Sequence, residues 1–189
     1  DFDDVDLSNL QRQIVHNEQS IGKNKADSAK VAISKINSDI KVRSIKNQLN
    51  LEEVKVIAKE VDIILDCSDN FETRYALNKI AYDLKLPLVS GAAIKFDGQV
   101  SVFDFRAKTS PCYNCLFPSA DEEQNLKCSD HGVFSPLVGL VGSIQAGEAI
   151  KVLLNIGTSL TGKLLLINHK DTNFKTLKIQ KDNLCDICS

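Results

Sequence analysis

Three features of this sequence predict an α/β fold: a doubly wound, mainly parallel sheet with a C-terminal extension stabilised by zinc. The run Val61-Asp62-Ile63-Ile64-Leu65 is nearly all apolar and ends in Asp66, the pattern of a strand inside a parallel sheet. Strand and helix signals alternate from residue 25 to residue 90, as right-handed crossovers require. Two Cys-x-x-Cys pairs, Cys112/Cys115 and Cys185/Cys188, offer the ligands of one closed metal site.

The elements follow in order. Lys25 to Ile36 sets Ala26, Ala29, Ile33 and Ile36 on one face, with Gly22 before and Asn37-Ser38 after, which predicts a helix. Ile40 to Ile45 reads as a short strand. Leu51 to Lys59 is a second helix through Val54, Ile57 and Ala58, and Val61 to Leu65 a strand. Phe71 to Leu84 is a third helix and Pro87 to Ser90 the next strand. Gln99 to Phe105 and Lys163 to Asn168 read as further strands, with a long helix, Leu137 to Leu154, between them. A sheet of this kind binds its ligand outside the carboxyl ends of its strands, which is where Asp66 and Asp69 fall.

Composition excludes several classes of partner. The 189 residues are 43% hydrophobic and 25% charged, with a formal net charge of -2. That suffices for one domain, residues 1–189, with a real core, and provides no broad basic field for nucleic acid. The longest apolar stretch, Phe134 to Ile156, is interrupted by Gln145, Glu148 and Lys151, which a membrane core accepts only at a cost. No secretory signal opens the chain, so a cytoplasmic protein is expected. There is no Met at all, and the chain reads as a fragment.

The cysteines sort by setting. Two pairs complete a four-cysteine site with no position left for water, so the zinc is expected to be structural, tying the C-terminal tail to the loop after the strand near Phe105. The competing readings are disulfides, which suit a secreted chain, and a redox pair, which needs only one Cys-x-x-Cys. Cys67 reads as an inert residue inside a buried strand. Cys128, in a polar loop, has the setting of a reactive thiol.

The other chemistry is phosphate chemistry. Ser8-Asn9-Leu10-Gln11-Arg12-Gln13 and Gly22-Lys23-Asn24-Lys25-Ala26 combine a guanidinium fork with ammonium groups on long stems, able to grip a polyphosphate from two directions; the plainer alternative is an amphipathic helix with a solvated face. Mg²⁺ takes one or two carboxylates plus phosphate oxygens, which makes Asp69 a metal candidate. The alternative is that Asp69 caps the helix beginning near Phe71. No Gly-x-Gly-x-x-Gly or Walker A sequence is present, although phosphates are usually cradled by such a turn.

Several segments together carry a resemblance: Asp1-Phe-Asp-x-Val-x-Leu-Ser-Asn-Leu-Gln-Arg-Gln13, Gly22-Lys-x-Lys25, Leu65-Asp-Cys-Ser-Asp-Asn70, Val89-Ser-Gly-Ala-Ala93 with Gly98-Gln99, the two Cys-x-x-Cys pairs, and Gly139-x-x-Gly-Ser-x-Gln-Ala-x-Glu-Ala-Ile-Lys151. In this order, from Asp1 to Cys188, the chain resembles the ThiF/MoeB adenylyltransferases, bacterial relatives of ubiquitin-activating enzymes. Val89 to Ala93 and Ile14-Val15-His16 lean toward the MoeB, or molybdopterin-synthase adenylyltransferase, branch. The resemblance implies a Rossmann-like fold, and adenylation by ATP of the C-terminal glycine of a small ubiquitin-like sulfur-carrier protein, in molybdopterin or thiamine biosynthesis. It implies that Asp1 binds the ribose, that Asn9, Arg12, Gln13 and Lys25 handle the nucleotide, and that Asp69 binds Mg²⁺. Catalysis would rest on Arg12, Lys25 and Asp69. It further implies a homodimer, and that the family's Gly-rich strand and helix lie upstream of Asp1, so that this chain alone binds ATP weakly. Cys128 corresponds to a sulfur-transferring cysteine of some members, the alternative being an incidental residue because adenylation needs no thiol; it falls in a crossover loop where Gly132, Gly139 and Gly142 would free the backbone. The second reading is a non-catalytic module of the same fold that binds the ubiquitin-like protein, and an upstream Gly-rich segment would separate the two. A nicotinamide oxidoreductase is a distant third, lacking the fingerprint.

Overall fold

A computed structural model of the chain describes residues 1–118 and 132–189. Two compact units make it up, Asp1–Asn50 and Leu51–Ser189.

The first unit has one α-helix, α1 (Lys25–Ile36), preceded by two single 3₁₀ turns, Leu7–Asn9 and Glu18–Ser20. Asn24 starts α1: its Oδ1 accepts from the backbone N–H groups of Ala26 and Asp27 at 3.0 and 3.2 Å, satisfying two donors that a helix start leaves orphaned. The first 25 residues therefore form turns, not the alternative amphipathic helix. The strand expected at Ile40 to Ile45 does not form. The segment is irregular; within it Ser44 Oγ donates to Asp27 Oδ1 at 2.7 Å and the Ile45 carbonyl accepts from the N-terminal ammonium at 2.9 Å. A strand exists only through ladder pairing, and none of the described residues supplies a ladder here.

The second unit runs α2 (Leu51–Ala58), β1 (Ile64–Asp66), α3 (Phe71–Leu84), β2 (Pro87–Ile94), β3 (Asp97–Asp104), α4 (Tyr113–Leu116), α5 (Ser135–Leu154), β4 (Lys163–Asn168) and β5 (Asn173–Lys178). The strands form one sheet in the order β1-β2-β3-β4-β5. Only β1 and β2 are parallel, joined through α3; β2–β3, β3–β4 and β4–β5 are antiparallel. The fold is α/β and Rossmann-like, but this sheet is mixed where a mainly parallel one was expected. The reason is connection length: β2 meets β3, and β4 meets β5, through short turns, which permit only antiparallel neighbours. Lys95 in the first turn and Thr172 in the second have positive φ, 50° and 51°.

Helices cover both faces of the sheet. On one, α5 lays Leu137, Val141, Ala149 and Val152 against Val89, Val100, Val102 and Ile167. On the other, Leu88 and Phe103 meet Ala81, Phe105, Tyr113 and the cysteines. Neighbours Leu88 and Val89 point to opposite faces, as the period of two demands, and each large apolar side chain so buried stabilises the fold by about 1.5–3 kcal/mol. By length and composition α5 could cross a membrane, yet its inner face packs on β2 and β3 as a core helix does. Gly139 and Gly142 lie within α5, so of the three glycines expected to loosen the backbone only Gly132 has positive φ, 68°.

Candidate nucleotide and metal sites

In the first unit, a cleft of about 410 Å³ is lined by Asp1, Arg12, Gln13, Ile14, Val15, His16, Lys25, Ala26 and Ala29. It brings together four of the five residues expected to handle nucleotide; the volume lies in the range of small-molecule sites, roughly 300–1,000 Å³. Arg12 Nη1 donates to the Ser8 carbonyl at 3.2 Å, and Lys25 Nζ pairs with Asp3 Oδ2 at 2.8 Å. The Gln13 Oε1 atom is buried with no hydrogen-bond partner among the described residues. The fifth residue, Asn9, is buried and lies outside this lining; its Oδ1 accepts from Asp6 N at 3.0 Å, closing a capping box with Asp6. His16, also in the lining, has its pKa lowered by burial and by the Lys25 charge, and its Nδ1 lies 2.9 Å from Ser28 Oγ.

In the second unit, β1 ends at a loop, residues 67–70, that leads into α3. Asp66 is buried and its carboxylate accepts from Ser68 N at 3.0 Å, Ser68 Oγ at 2.6 Å and Ser90 Oγ at 2.9 Å. Arg74, buried on α3, donates from Nη2 to the Ser68 carbonyl at 2.8 Å. The cap of α3 is Asn70, whose Oδ1 accepts from Thr73 N at 2.8 Å, so the capping alternative for Asp69 does not hold. Asp69 is exposed, and among the described residues its carboxylate has no hydrogen bond or ion pair. Cys67 is a correction: it lies past the end of β1 and is exposed, because β1 stops at Asp66. Its Sγ reaches Gln145 Oε1 at 3.7 Å, and burial of the sulfur with Asp66 nearby raises its pKa.

The third assembly is the cysteine cluster. Asn78 of α3 anchors α4, accepting from Tyr113 N and donating to Asn114 Oδ1, both at 2.9 Å; this sets Cys112 and Cys115 beside the C-terminal turn. The four sulfurs lie within 4.8 Å of one another, with neighbouring pairs at 3.8, 3.5 and 3.3 Å. A tetrahedral zinc with Zn–S of about 2.3 Å sets its sulfurs about 3.8 Å apart, so the donor set fits that ion, and all four are free thiols. Burial pushes the Cys112 thiol up to about 11 and Cys188 higher still. For Cys185 burial acts the same way, but hydrogen bonds from the Ile187 and Cys188 backbone outweigh it and the pKa falls. Cys128 lies outside the described residues.

Sequence reasoning passed over two members of the second assembly. Arg74 carries no sequence signal beyond its place in the helix, and Gln145 stands out only as an interruption of an apolar run and as one position of the segment Gly139 to Lys151. The available signal was that a polar side chain on the buried face of a helix needs a buried partner.

A family model described as the ThiF family matches residues 1–187. The chain belongs to the ThiF family. It is 39% identical over 188 residues to the molybdopterin-synthase adenylyltransferase of Escherichia coli, covering all of this chain and 75% of that protein. It is 46% identical over 180 residues to the enzyme of that name from Haemophilus influenzae, covering 95% of this chain and 73% of the relative. The adenylyltransferase and sulfurtransferase MOCS3 of Drosophila persimilis is 39% identical over 191 residues, and there the ThiF-family chain spans only 42% of the relative's length. Among solved structures, E. coli MccB with ATP superposes with a TM-score of 0.82 at 21% identity, covering all of this chain and 57% of that one. MccB in complex with N-formylated MccA reaches 0.86 at 20%, covering all of this chain and 59% of that one. Those two likenesses establish the Rossmann-like fold alone.

Proposed function

We propose that this ThiF-family chain adenylates the C-terminal glycine of a small ubiquitin-like sulfur-carrier protein, using ATP, in molybdopterin or thiamine biosynthesis. The relatives named adenylyltransferases support the reaction class. The observation that carries the reading is the first-unit cleft, where Asp1, Arg12, Gln13 and Lys25 meet around a volume suited to a nucleotide.

The carrier's carboxylate oxygen attacks the α-phosphorus, an acyl–O–P bond forms, and the bond from the α-phosphorus to the bridging oxygen breaks as pyrophosphate leaves. No protein nucleophile is required, so catalysis consists of positioning and of neutralising charge on phosphate oxygens. Arg12 supplies a fork and Lys25 a point charge; the Lys25–Asp3 pair is one that a phosphate oxygen can replace. Asp1 takes the ribose hydroxyls, Gln13 Oε1 accepts from a ligand N–H, and the Asn9 amide nitrogen donates to phosphate. Asp69 holds Mg²⁺, which when bound offsets phosphate charge. Cys112, Cys115, Cys185 and Cys188 hold a structural Zn²⁺. Two copies of the chain act as a homodimer, which would also cover the exposed Ile150, Leu153 and Leu154 of α5; sedimentation of the purified protein tests this.

The test of the reaction is ATP–pyrophosphate exchange by the full-length protein with candidate carriers. Exchange that depends on a carrier ending in glycine is expected. Carrier binding without exchange would establish the binding-module reading instead.

A further inference from the structure

The β1–α3 loop is gripped by two buried side chains that are not among the residues assigned to ATP or Mg²⁺. From α3, Arg74 holds the Ser68 carbonyl with Nη2 at 2.8 Å, sets Nε 4.0 Å from Asp66 Oδ2, and lays its guanidinium 5.5 Å from the centre of the Phe71 ring. From α5, Gln145 donates Nε2 to the Asp66 carbonyl at 2.8 Å and reaches the Val89 carbonyl at 3.4 Å. Arg74 is 5% exposed and Gln145 3%. A buried amide and a buried guanidinium are costly unless paired; here Gln145 Nε2 and Arg74 Nη2 pair with the backbone on either side of Cys67, while Arg74 Nε has no hydrogen-bond partner among the described residues. Gly91 in β2 makes room for this: a Cβ there would stand 2.3 Å from Gln145 Cδ and 2.4 Å from its Oε1. Any larger residue at 91 must drive the amide off the two carbonyls.

We propose that Gln145 and Arg74 are positioning residues for adenylation. They fix the backbone of residues 66–68, and Asp69, whose carboxylate has no partner among the described residues, is thereby presented to the metal already ordered. This rests on the reading that Asp69 holds Mg²⁺. A carboxylate on a fixed loop binds a cation without first losing conformational freedom, whereas one on a loose loop loses it on binding. Releasing the grip therefore raises the Mg²⁺ concentration needed and spares the rate once Mg²⁺ saturates.

The experiment is pyrophosphate exchange by the full-length protein with its carrier, titrated with Mg²⁺, alongside thermal unfolding. Gln145→Ala, Gly91→Ala, the double variant and Arg74→Lys are compared with Asp69→Asn. Arg74→Lys keeps a charge beside Asp66 but loses the fork. Half-saturating Mg²⁺ is expected to rise about tenfold or more in each single variant, the range seen when residues that orient a metal ligand are removed, with the saturated rate close to that of the parent. Gly91→Ala should add nothing in the Gln145→Ala background, because it acts only through that amide, which the smaller side chain no longer provides. If Gln145→Ala does not fold, Gly91→Ala and Arg74→Lys carry the same readout. Unchanged Mg²⁺ dependence with lowered thermal stability would overturn the proposal and leave both residues as packing. Unchanged Mg²⁺ dependence in Asp69→Asn would overturn the metal assignment itself, a separate failure.

Discussion

Charge is handled in opposite ways by the cleft of residues 1–29 and by the turn from β1 into α3. In the cleft, the cations proposed to meet phosphate are tied to their own segment, Lys25 to Asp3 and Arg12 to the Ser8 carbonyl. Asp3 is 52% exposed, so the pair is worth about 0.2–1 kcal/mol and is easily exchanged for a ligand. In the turn, Asp66 and Arg74 are buried and spent entirely on structure, while the carboxylate left open is Asp69. The difference teaches that a binding group can be made available by a weak local partner or by a strong frame around a bare side chain. In the second case the frame and the ligand are different residues.

The largest effect expected is at the cysteines, which hold the α4 turn to the C-terminal tail. Metal analysis should find about one Zn²⁺ per chain, and Cys185→Ser should lose both the metal and thermal stability, since structural zinc contributes on the order of 10 kcal/mol to the folding of small zinc domains. A metal-free protein of full stability would refute it. Next, removing one partner of the buried pair should separate the two regions sharply. Arg74→Ala removes the cation facing buried Asp66, whose carboxylate keeps its hydrogen bonds from Ser68 and Ser90, so a loss of about 2–3 kcal/mol is expected, below that of a fully unpaired buried charge, whereas Lys25→Ala should cost at most about 1 kcal/mol; denaturant unfolding of both compares them directly. Equal losses would erase the distinction drawn between weak partner and strong frame.

Activity should invert that order. Asp69→Ala and Arg12→Ala are each expected to slow pyrophosphate exchange by roughly a hundredfold to a thousandfold, with unfolding midpoints unchanged, because neither side chain is part of the core. Near-normal exchange by Asp69→Ala would remove the proposed metal ligand. The smallest effect belongs to Cys128→Ala, expected to leave exchange unaltered, since a carboxylate attacking the α-phosphorus involves no thiol. A reducible bond between Cys128 and the carrier, seen by mass spectrometry after turnover with a sulfur source, would instead point to sulfur transfer.

Local signals carried much of this fold. The helices Lys25–Ile36 and Phe71–Leu84 were legible to their ends, because amphipathic spacing and the flanking Gly22 and Asn37-Ser38 act within a turn or so of chain; the cap of the second, Asn70 and not Asp69, was not. The two Cys-x-x-Cys pairs were equally legible, since each i, i+3 spacing already places two thiols together. Residues Asp1, Arg12, Gln13 and Lys25 could be read as one group from sequence, and the cleft unites them.

What sequence alone could not decide is everything that depends on a distant partner. Whether Ile40 to Ile45 is a strand depends on a neighbour to pair with, and β5, exposed along its whole length, has no apolar alternation strong enough to announce itself. The direction of each strand pair is set by where the chain turns back. That Gln145 on α5 completes the end of β1, and that Gly91 must be bare for it to do so, became decidable only once β1, β2 and α5 were packed. Hydrogen bonds between residues 79 positions apart leave no periodic trace in the sequence. Tertiary structure decided which buried polar groups became partners; the sequence by itself determined the longer helices, the two cysteine pairs and the family.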